Sequence, residues 1–278
     1  MRGAGSGNIW AYAEHCLGSP EVETKLAVSH EAWRACRADE LDFGIEDEPL
    51  PTRFARFPDR PPRVDPRDLP RRGINTVDGR VALLHAVAHI EFSAIQLAWD
   101  HLYRFRGLPQ DYYRDWLRVA AEEAEHFAQV RERLRELGAD YGDLPAHGGL
   151  WSIAEETAYD VAARMALVPR FMEARGLDVT PGMIERLRQA GDARSVAVLE
   201  RILHDEVGHV ALGSRWFQWI CAQRGIDPEV EYFTLVERHL RGQARGPFNL
   251  ELRRRAGFSD RELERLEASS APRRYSGA

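Results

Sequence analysis

Two copies of a Glu-x-x-His step lie inside long stretches whose other inward-facing residues are apolar. The first step is Glu123-Ala-Glu-His126 and the second is Glu206-Val-Gly-His209. Residues i and i+3 project from one face of a helix, so each glutamate shares a direction with its histidine. A buried carboxylate is costly unless a cation neutralises it. The chain must therefore fold so that these helices enclose a polar interior whose charges balance.

A single glutamate precedes each of these steps at nearly the same distance. Glu91 lies 32 residues before Glu123, and Glu173 lies 33 residues before Glu206. Four carboxylates and two imidazoles form the ligand set of dinuclear iron and manganese helical bundles, and two divalent cations would balance the four negative charges. The pattern predicts six metal ligands: Glu91, Glu123, His126, Glu173, Glu206 and His209.

The position of Glu173 depends on how the third long helix ends. Glu173 lies three residues before Gly176, where we expect that helix to break. A tight turn at Gly176 would offset Glu173 from Glu206 by more than one helical turn. We therefore expect residues 181–190 to continue the helix after the break and the return helix to start near Asp192. The alternative ligands from this part of the chain are Glu155 and Glu156.

An acidic residue stands directly before the glutamate of each step, namely Glu122 and Asp205. A metal-bound imidazole usually donates its second N–H to an outer carboxylate, so these two acids are predicted to support the histidines. The alternative is that each is solvated or paired with a basic residue. His85 and His89 fall on a different face of their helix from Glu91, and we expect them to pack against the N-terminal helices.

The predicted fold class is all-α, because no segment shows sustained strand alternation. Long helices are expected over residues 76–106, 111–137, 152–175 and 192–224, with a kink at Pro169. Thr180-Pro181 is expected to start a short helix, and Ser259 with Glu262 to form a capping box. The predicted divisions are N-terminal helices over 1–48, an arm over 49–74, a four-helix bundle over 75–226, C-terminal helices over 227–267 and a disordered tail over 268–278.

The arm has a distinctive composition. Residues 49–73 hold seven of the fifteen prolines together with seven arginines. Proline at this density excludes a helix or a central strand, so the segment is expected to be extended. Its apolar residues Phe54, Phe57, Val64 and Leu69 should hold it along the surface of the bundle.

The composition of the chain indicates where in the cell the protein is located and which classes of partner it is expected to bind. The formal net charge of −6 provides no general basic field for nucleic acid, so nucleic acid is not expected as a partner. The three cysteines form no CxxC pair, which favours reduced thiols in a cytoplasmic protein. The N-terminus lacks the apolar run of a signal peptide, and we expect no membrane span because no run approaches about 20 apolar residues.

Several longer segments resemble a bacterial family of ferritin-like proteins catalogued as domain of unknown function 455. They include HAVAHIEFSAI, EEAEHF, YGDLPAHGGLW, ARMALVPRFMEARGLDVTP and ILHDEVGHVALGSRWF. The resemblance spans most of the chain, from the arm to the last helix. It implies a ferritin-like four-helix bundle with a dinuclear metal site, and it implies no particular substrate.

The leading functional hypothesis is an oxidoreductase that uses O2 or peroxide to hydroxylate, desaturate or oxidise a small organic substrate. Iron is the expected metal, with a manganese–iron pair as the alternative. Electrons would come from an external donor protein, because the chain has neither a CxxC for a rubredoxin-like iron nor a dinucleotide-binding glycine motif. The rival hypotheses are a non-catalytic iron-binding or ferroxidase protein and a tRNA-modifying hydroxylase. The sequence is compatible with a homodimer.

Overall fold

The computed structural model describes residues 7–44, 48–68, 73–240 and 246–270. Within these ranges the chain is helical and contains no β-strand, only isolated bridges. The all-α fold class predicted from the sequence is thereby confirmed. The helices are α1 (Ile9–Gly18), α2 (Val22–Arg37), α3 (Val77–Arg104), α4 (Gln110–Glu136), α5 (Gly149–Glu156), α6 (Val161–Leu167), α7 (Ala174–Gln189), α8 (Ala193–Arg224), α9 (Pro228–Leu240), α10 (Leu250–Arg255) and α11 (Asp260–Ser270).

The chain divides into two compact units. The first unit comprises Met1–Ala158 and Arg186–Val198, and the second comprises Tyr159–Glu185 and Leu199–Ala278. Each unit carries one Glu-x-x-His step, on α4 in the first and on α8 in the second. The division therefore follows the internal repetition of the motif, while the predicted domain boundaries stay a prediction.

In the first unit, α3 packs along α4, and α1 and α2 lie against this pair. Every residue of α3 from Glu91 to Tyr103 is buried, so the middle of this helix is covered on all sides. Thr76 caps the N-terminus of α3, because its hydroxyl accepts the Gly79 N–H at 3.1 Å. The left-handed φ of +85° at Gly138 ends α4, as expected for a residue without a Cβ.

Helix α3 is also long and apolar enough to cross a membrane by length and composition, although the sequence was expected to contain no such run. However, 72% of its most apolar window is buried inside the protein. A fully covered core helix passes the same test, so this feature is weak evidence for a membrane span. It instead shows how apolar the surroundings of Glu91 are.

The proline-rich arm is fixed to the first unit at three points over its described residues. The Phe54 ring lies over Gly18, where an added Cβ would come within 2.7 Å of the ring. The Phe57 ring makes edge contacts with Phe92 and Trp151. Residues 62–64 bridge to Ala146, whose carbonyl accepts the Val64 N–H at 2.8 Å. Residues 69–72 of the predicted arm, including its anchor Leu69, lie outside the described ranges.

The third long helix differs from its prediction. It begins at Val161, because a turn separates it from the short helix α5, and it runs through Gly176 and Pro181 to Gln189. Residues Val168–Glu173 between α6 and α7 form a π-helical segment. Pro169 lacks an N–H, so it cannot make the ordinary i to i−4 bond, and the wider turn accommodates it. Gly176 therefore does not break the helix, and Thr180-Pro181 does not start one.

A buried arginine fixes this π-helical segment within the second unit. Arg170 is fully buried, and its guanidinium donates to Glu262 at 2.8 Å and to Ser214 at 3.1 Å. Glu262 also accepts the Ser259 N–H while the Ser259 hydroxyl accepts the Glu262 N–H, which confirms the predicted capping box. Helix α11 continues to Ser270, so residues 268–270 are helical and not part of a disordered tail. Residues 271–278 lie outside the described ranges.

We expect Gly213→Ala to destabilise the second unit. Gly213 on α8 faces Pro169, and an added Cβ would lie 2.4 Å from the proline Cβ. The clash involves a rigid ring, so relief requires movement of a helix, and overpacking of this kind costs about 1–3 kcal/mol. Urea unfolding of the variant should show this loss. The control is Gly208→Ala on the same helix, where no atom lies within 4 Å, and equal stability losses in both variants would contradict the prediction.

Candidate metal centre

The first unit brings three of the predicted ligands together. Glu91 extends from α3, while Glu123 and His126 extend from one face of α4. The His126 Nδ1 atom lies 3.3 Å from Glu91 Oε2 and 3.4 Å from Glu123 Oε2. One donor atom from each residue lies within 4.8 Å of the others. Two carboxylates and one imidazole thus converge on a common point in the interior.

These three side chains are almost completely removed from water. Their exposed fractions are 3% for Glu91, 1% for Glu123 and 1% for His126. Burial, reinforced by the Glu123 carboxylate, raises the pKa of Glu91 to about 7. Burial by itself would lower the pKa of His126, but the Glu123 and Glu91 carboxylates outweigh it and raise that pKa to about 12. The cluster therefore retains positive charge strongly, which is the electrostatic property of a cation site.

The donor set suits a transition-metal ion. Carboxylate oxygens are hard donors and imidazole nitrogen is a borderline donor, a mixture that favours iron or manganese over a soft thiolate site. Glu91 Oε2 is buried and forms no hydrogen bond to a described residue, although His126 Nδ1 is near. A cation bound among the three donors would satisfy that oxygen. The buried Glu/His group can therefore hold a metal ion, and its geometry does not specify which metal.

The second unit buries the other Glu-x-x-His step. Glu206 is 9% exposed and His209 is 1% exposed, and Glu206 Oε2 lies 3.8 Å from His209 Nδ1. Glu173 is half-buried at the last residue of the π-helical segment. In the part of the chain that the structure describes, Glu173 belongs to no group of three closely spaced metal donors. Its assignment as a ligand stays a prediction.

The alternative ligands Glu155 and Glu156 are less suited to the role. Both lie on α5 in the first unit and both are exposed. Neither belongs to a closely spaced donor group with Glu91, Glu123 and His126. The exposure of these two carboxylates favours Glu173 as the candidate from the third long helix.

The predicted supporting acids each have a basic partner on their own helix. Glu122 lies 3.8 Å from the Arg118 guanidinium, and Asp205 lies 2.7 Å from that of Arg201. Both arginines stand four residues before the acid, so the repeated pattern is Arg-x-x-x-acid-Glu-x-x-His. Sequence reasoning missed the two arginines, although this i,i+4 spacing was readable. The alternative of an acid in an ion pair is therefore observed at both positions.

His85 and His89 are hydrogen-bonded, but not against the N-terminal helices as predicted. The His85 Nε2 atom accepts the Gly142 N–H at 3.0 Å. The two ring nitrogens of His89 lie 3.0 Å from the Tyr141 hydroxyl and 3.1 Å from the His147 carbonyl oxygen. The two histidines thus hold the loop between α4 and α5 against α3. They line a pocket of about 200 Å³ together with Ile90.

We expect the stability of the metal-free protein to fall as the pH rises from about 5 to 7. The folded-state pKa of Glu91, about 7, exceeds its unfolded value, so its stabilising contribution is complete at low pH and is lost as the carboxyl ionises. Glu91→Gln should remove this contribution, on the order of 2 kcal/mol, and flatten the pH profile. Urea unfolding in the presence of a chelator measures it.

The control for that experiment is Glu125→Gln, because Glu125 is exposed on the same helix as Glu123. This variant should keep the slope of the wild-type protein between pH 5 and 7. A Glu91→Gln profile as steep as the wild-type profile would show that Glu91 is already ionised at pH 5.

Comparison with known proteins places the chain in a family. A family described as "Protein of unknown function (DUF455)" matches residues 18–264. A Haemophilus influenzae protein, named only "Uncharacterized protein", is 44% identical over 266 residues, which is 92% of each chain. No solved structure matches. The residues that match include the arm, both Glu-x-x-His steps and the π-helical segment, and the chain belongs to the DUF455 family.

Proposed function

We propose that this protein is a ferritin-like dinuclear metal protein with iron at its centre, and that it acts as an O2- or peroxide-dependent oxidoreductase on a small organic substrate. The observation that carries the proposal is the buried group of Glu91, Glu123 and His126 on α3 and α4. Ordinary cores exclude carboxylates, and two of them beside one imidazole form a cation site and not a packing arrangement.

The second half of the proposed centre rests on the repeated sequence pattern. Glu206 and His209 repeat the burial, the i,i+3 spacing and the preceding Arg–acid pair of Glu123 and His126. Four carboxylates and two histidines would hold two ions, with Glu173 as the remaining ligand. The four carboxylates of such a set carry a charge of −4, which two divalent ions would neutralise.

The residues of the first unit supply binding and the exclusion of water. The Glu91 and Glu123 carboxylates and the His126 imidazole would hold a metal ion through oxygen and nitrogen. When bound, iron supplies the one-electron redox chemistry and the activation of oxygen that side chains lack. The covering of α3 keeps bulk water from the site, which protects reactive species from side reactions.

Metal analysis tests this proposal. Protein purified from iron-supplemented cells should contain about two iron ions per chain, as the six-ligand set requires. His126→Ala and His209→Ala should each remove at least half of the iron, because each deletes the only nitrogen donor of its step. The matched control is His204→Ala, an exposed histidine on the same helix as His209, which should retain the full iron content. Elemental analysis of each purified variant gives the comparison.

Spectroscopy separates redox chemistry from simple binding. The iron-loaded protein, reduced and then exposed to O2, should develop near-ultraviolet absorption that His126→Ala lacks. One zinc ion per chain, or an iron content that neither histidine variant changes, would refute the dinuclear iron centre. Iron that oxidises without any organic substrate being consumed would favour a ferroxidase.

A further inference from the structure

Four arginines of the arm are exposed to solvent and form no ion pair with a carboxylate of the described residues. In the described ranges, none of the four has a carboxylate within 4.0 Å, and all are exposed. By contrast, Arg131 and Arg133 in α4 each bridge two acids. The arm therefore concentrates positive charge that no described carboxylate neutralises, on a protein whose net charge is −6. These arginines are Arg53, Arg56, Arg60 and Arg63.

The backbone that carries these arginines is fixed in place. The Arg56 N–H donates to the Leu17 carbonyl at 2.7 Å, and the Ala146 N–H donates to the Pro62 carbonyl at 3.1 Å. The Arg63 guanidinium lies over the Phe57 ring, 4.7 Å from its centroid. A charged surface on an ordered backbone loses little conformational entropy on binding, which favours its use in recognition.

Aromatic side chains connect this surface with the candidate metal cluster. The Phe57 ring, half-buried under Arg63, contacts Phe92 with ring centroids 6.5 Å apart. Phe92 follows Glu91 in the chain and packs on Phe127 at 5.8 Å, and Phe127 follows His126. Two ring contacts thus span the distance from the arm to the residues beside two candidate ligands. Because electron transfer weakens steeply with distance, a donor bound here is well placed.

We propose that Arg53, Arg56, Arg60, Arg63 and Phe57 form a basic arm surface that docks an acidic one-electron donor protein of the iron–sulfur ferredoxin class. This inference rests on the proposed function. Glu91, Glu123 and His126 would hold the iron ion that receives the electron, and the one electron lost by the donor cluster would equal the one that this ion gains. No bond forms between the proteins and no proton crosses the interface.

A compact acidic protein fits this surface better than nucleic acid does. Asp59 and Asp65 are exposed among the arginines, so a continuous phosphate chain would meet carboxylates along the same arm. Beyond the arm, the acidic balance of the protein would repel the rest of a long polyanion. A folded partner instead presents separate acidic groups and can leave the two aspartates uncontacted.

Binding to the metal-free protein gives the first test. The probe is a plant-type [2Fe–2S] ferredoxin, titrated by calorimetry at low ionic strength. Arg56→Gln with Arg60→Gln should weaken binding about tenfold, and added salt should weaken the wild-type complex similarly. The matched control is Arg34→Gln with Arg37→Gln, which removes two exposed charges from α2 in the same unit. Equal affinities in both double variants would overturn the proposal.

Electron transfer gives the second test. The rate at which reduced ferredoxin bleaches the iron absorption should fall about five- to tenfold in the arm variant at low salt, while the rate with dithionite stays unchanged. Iron reduced by dithionite but not by bound ferredoxin would overturn the docking role and leave the proposed function intact. If the protein contains no iron that dithionite can reduce, the proposed function is refuted. The calorimetric titration would then be the test of whether the basic arm surface binds ferredoxin. If a short RNA displaces ferredoxin at an RNA concentration below that of the ferredoxin, the surface binds nucleic acid and the proposal is overturned.

Discussion

The structure of the first unit depends on two carboxylates that share one imidazole in an apolar interior. Glu91 and Glu123 approach His126 within 3.4 Å, and all three are nearly inaccessible to water. Without positive charge between them, the two carboxylates would repel each other across a medium that screens poorly. The interior is therefore stable only with a proton or a metal ion in this place. The pKa of His126 is high for the same reason, since the two carboxylates stabilise a proton on its imidazole.

The long helices around this cluster keep it away from water. A charged cluster needs thick apolar covering if it is to be isolated from water, and the all-round burial of α3 provides it. The loop after α4 covers another face of α3, where His85 and His89 hold it through Gly142 and Tyr141. The pocket that these histidines line is consequently on a different face of α3 from Glu91.

The second unit also buries its Glu-x-x-His step, but it contains a segment of irregular helix. Its π-helical segment places Pro169 against Gly213 of α8, four residues beyond His209. Arg170 of the same segment is enclosed by Phe217, Tyr232 and Phe258, which contribute cation–π contacts in addition to its bond with Glu262. Irregular helical turns of this kind are frequently found at functional sites. Here the segment ends at Glu173, the proposed ligand from this part of the chain.

The sequence by itself determined the helices and the pairing of each motif glutamate with its histidine, because both depend on local periodicity. The 3.6-residue repeat fixed the extents of α3, α4 and α8 to within about two residues, and the i,i+3 spacing placed Glu123 beside His126. Tertiary structure decided the features that depend on contacts distant in sequence. Gly176 reads locally as a helix end, yet the helix continues through it because packing outweighs the low helix propensity of glycine. The partners of His85 and His89, the burial of Glu91 beside His126 and the path of the arm over Phe92 were likewise settled by residues far apart in the chain.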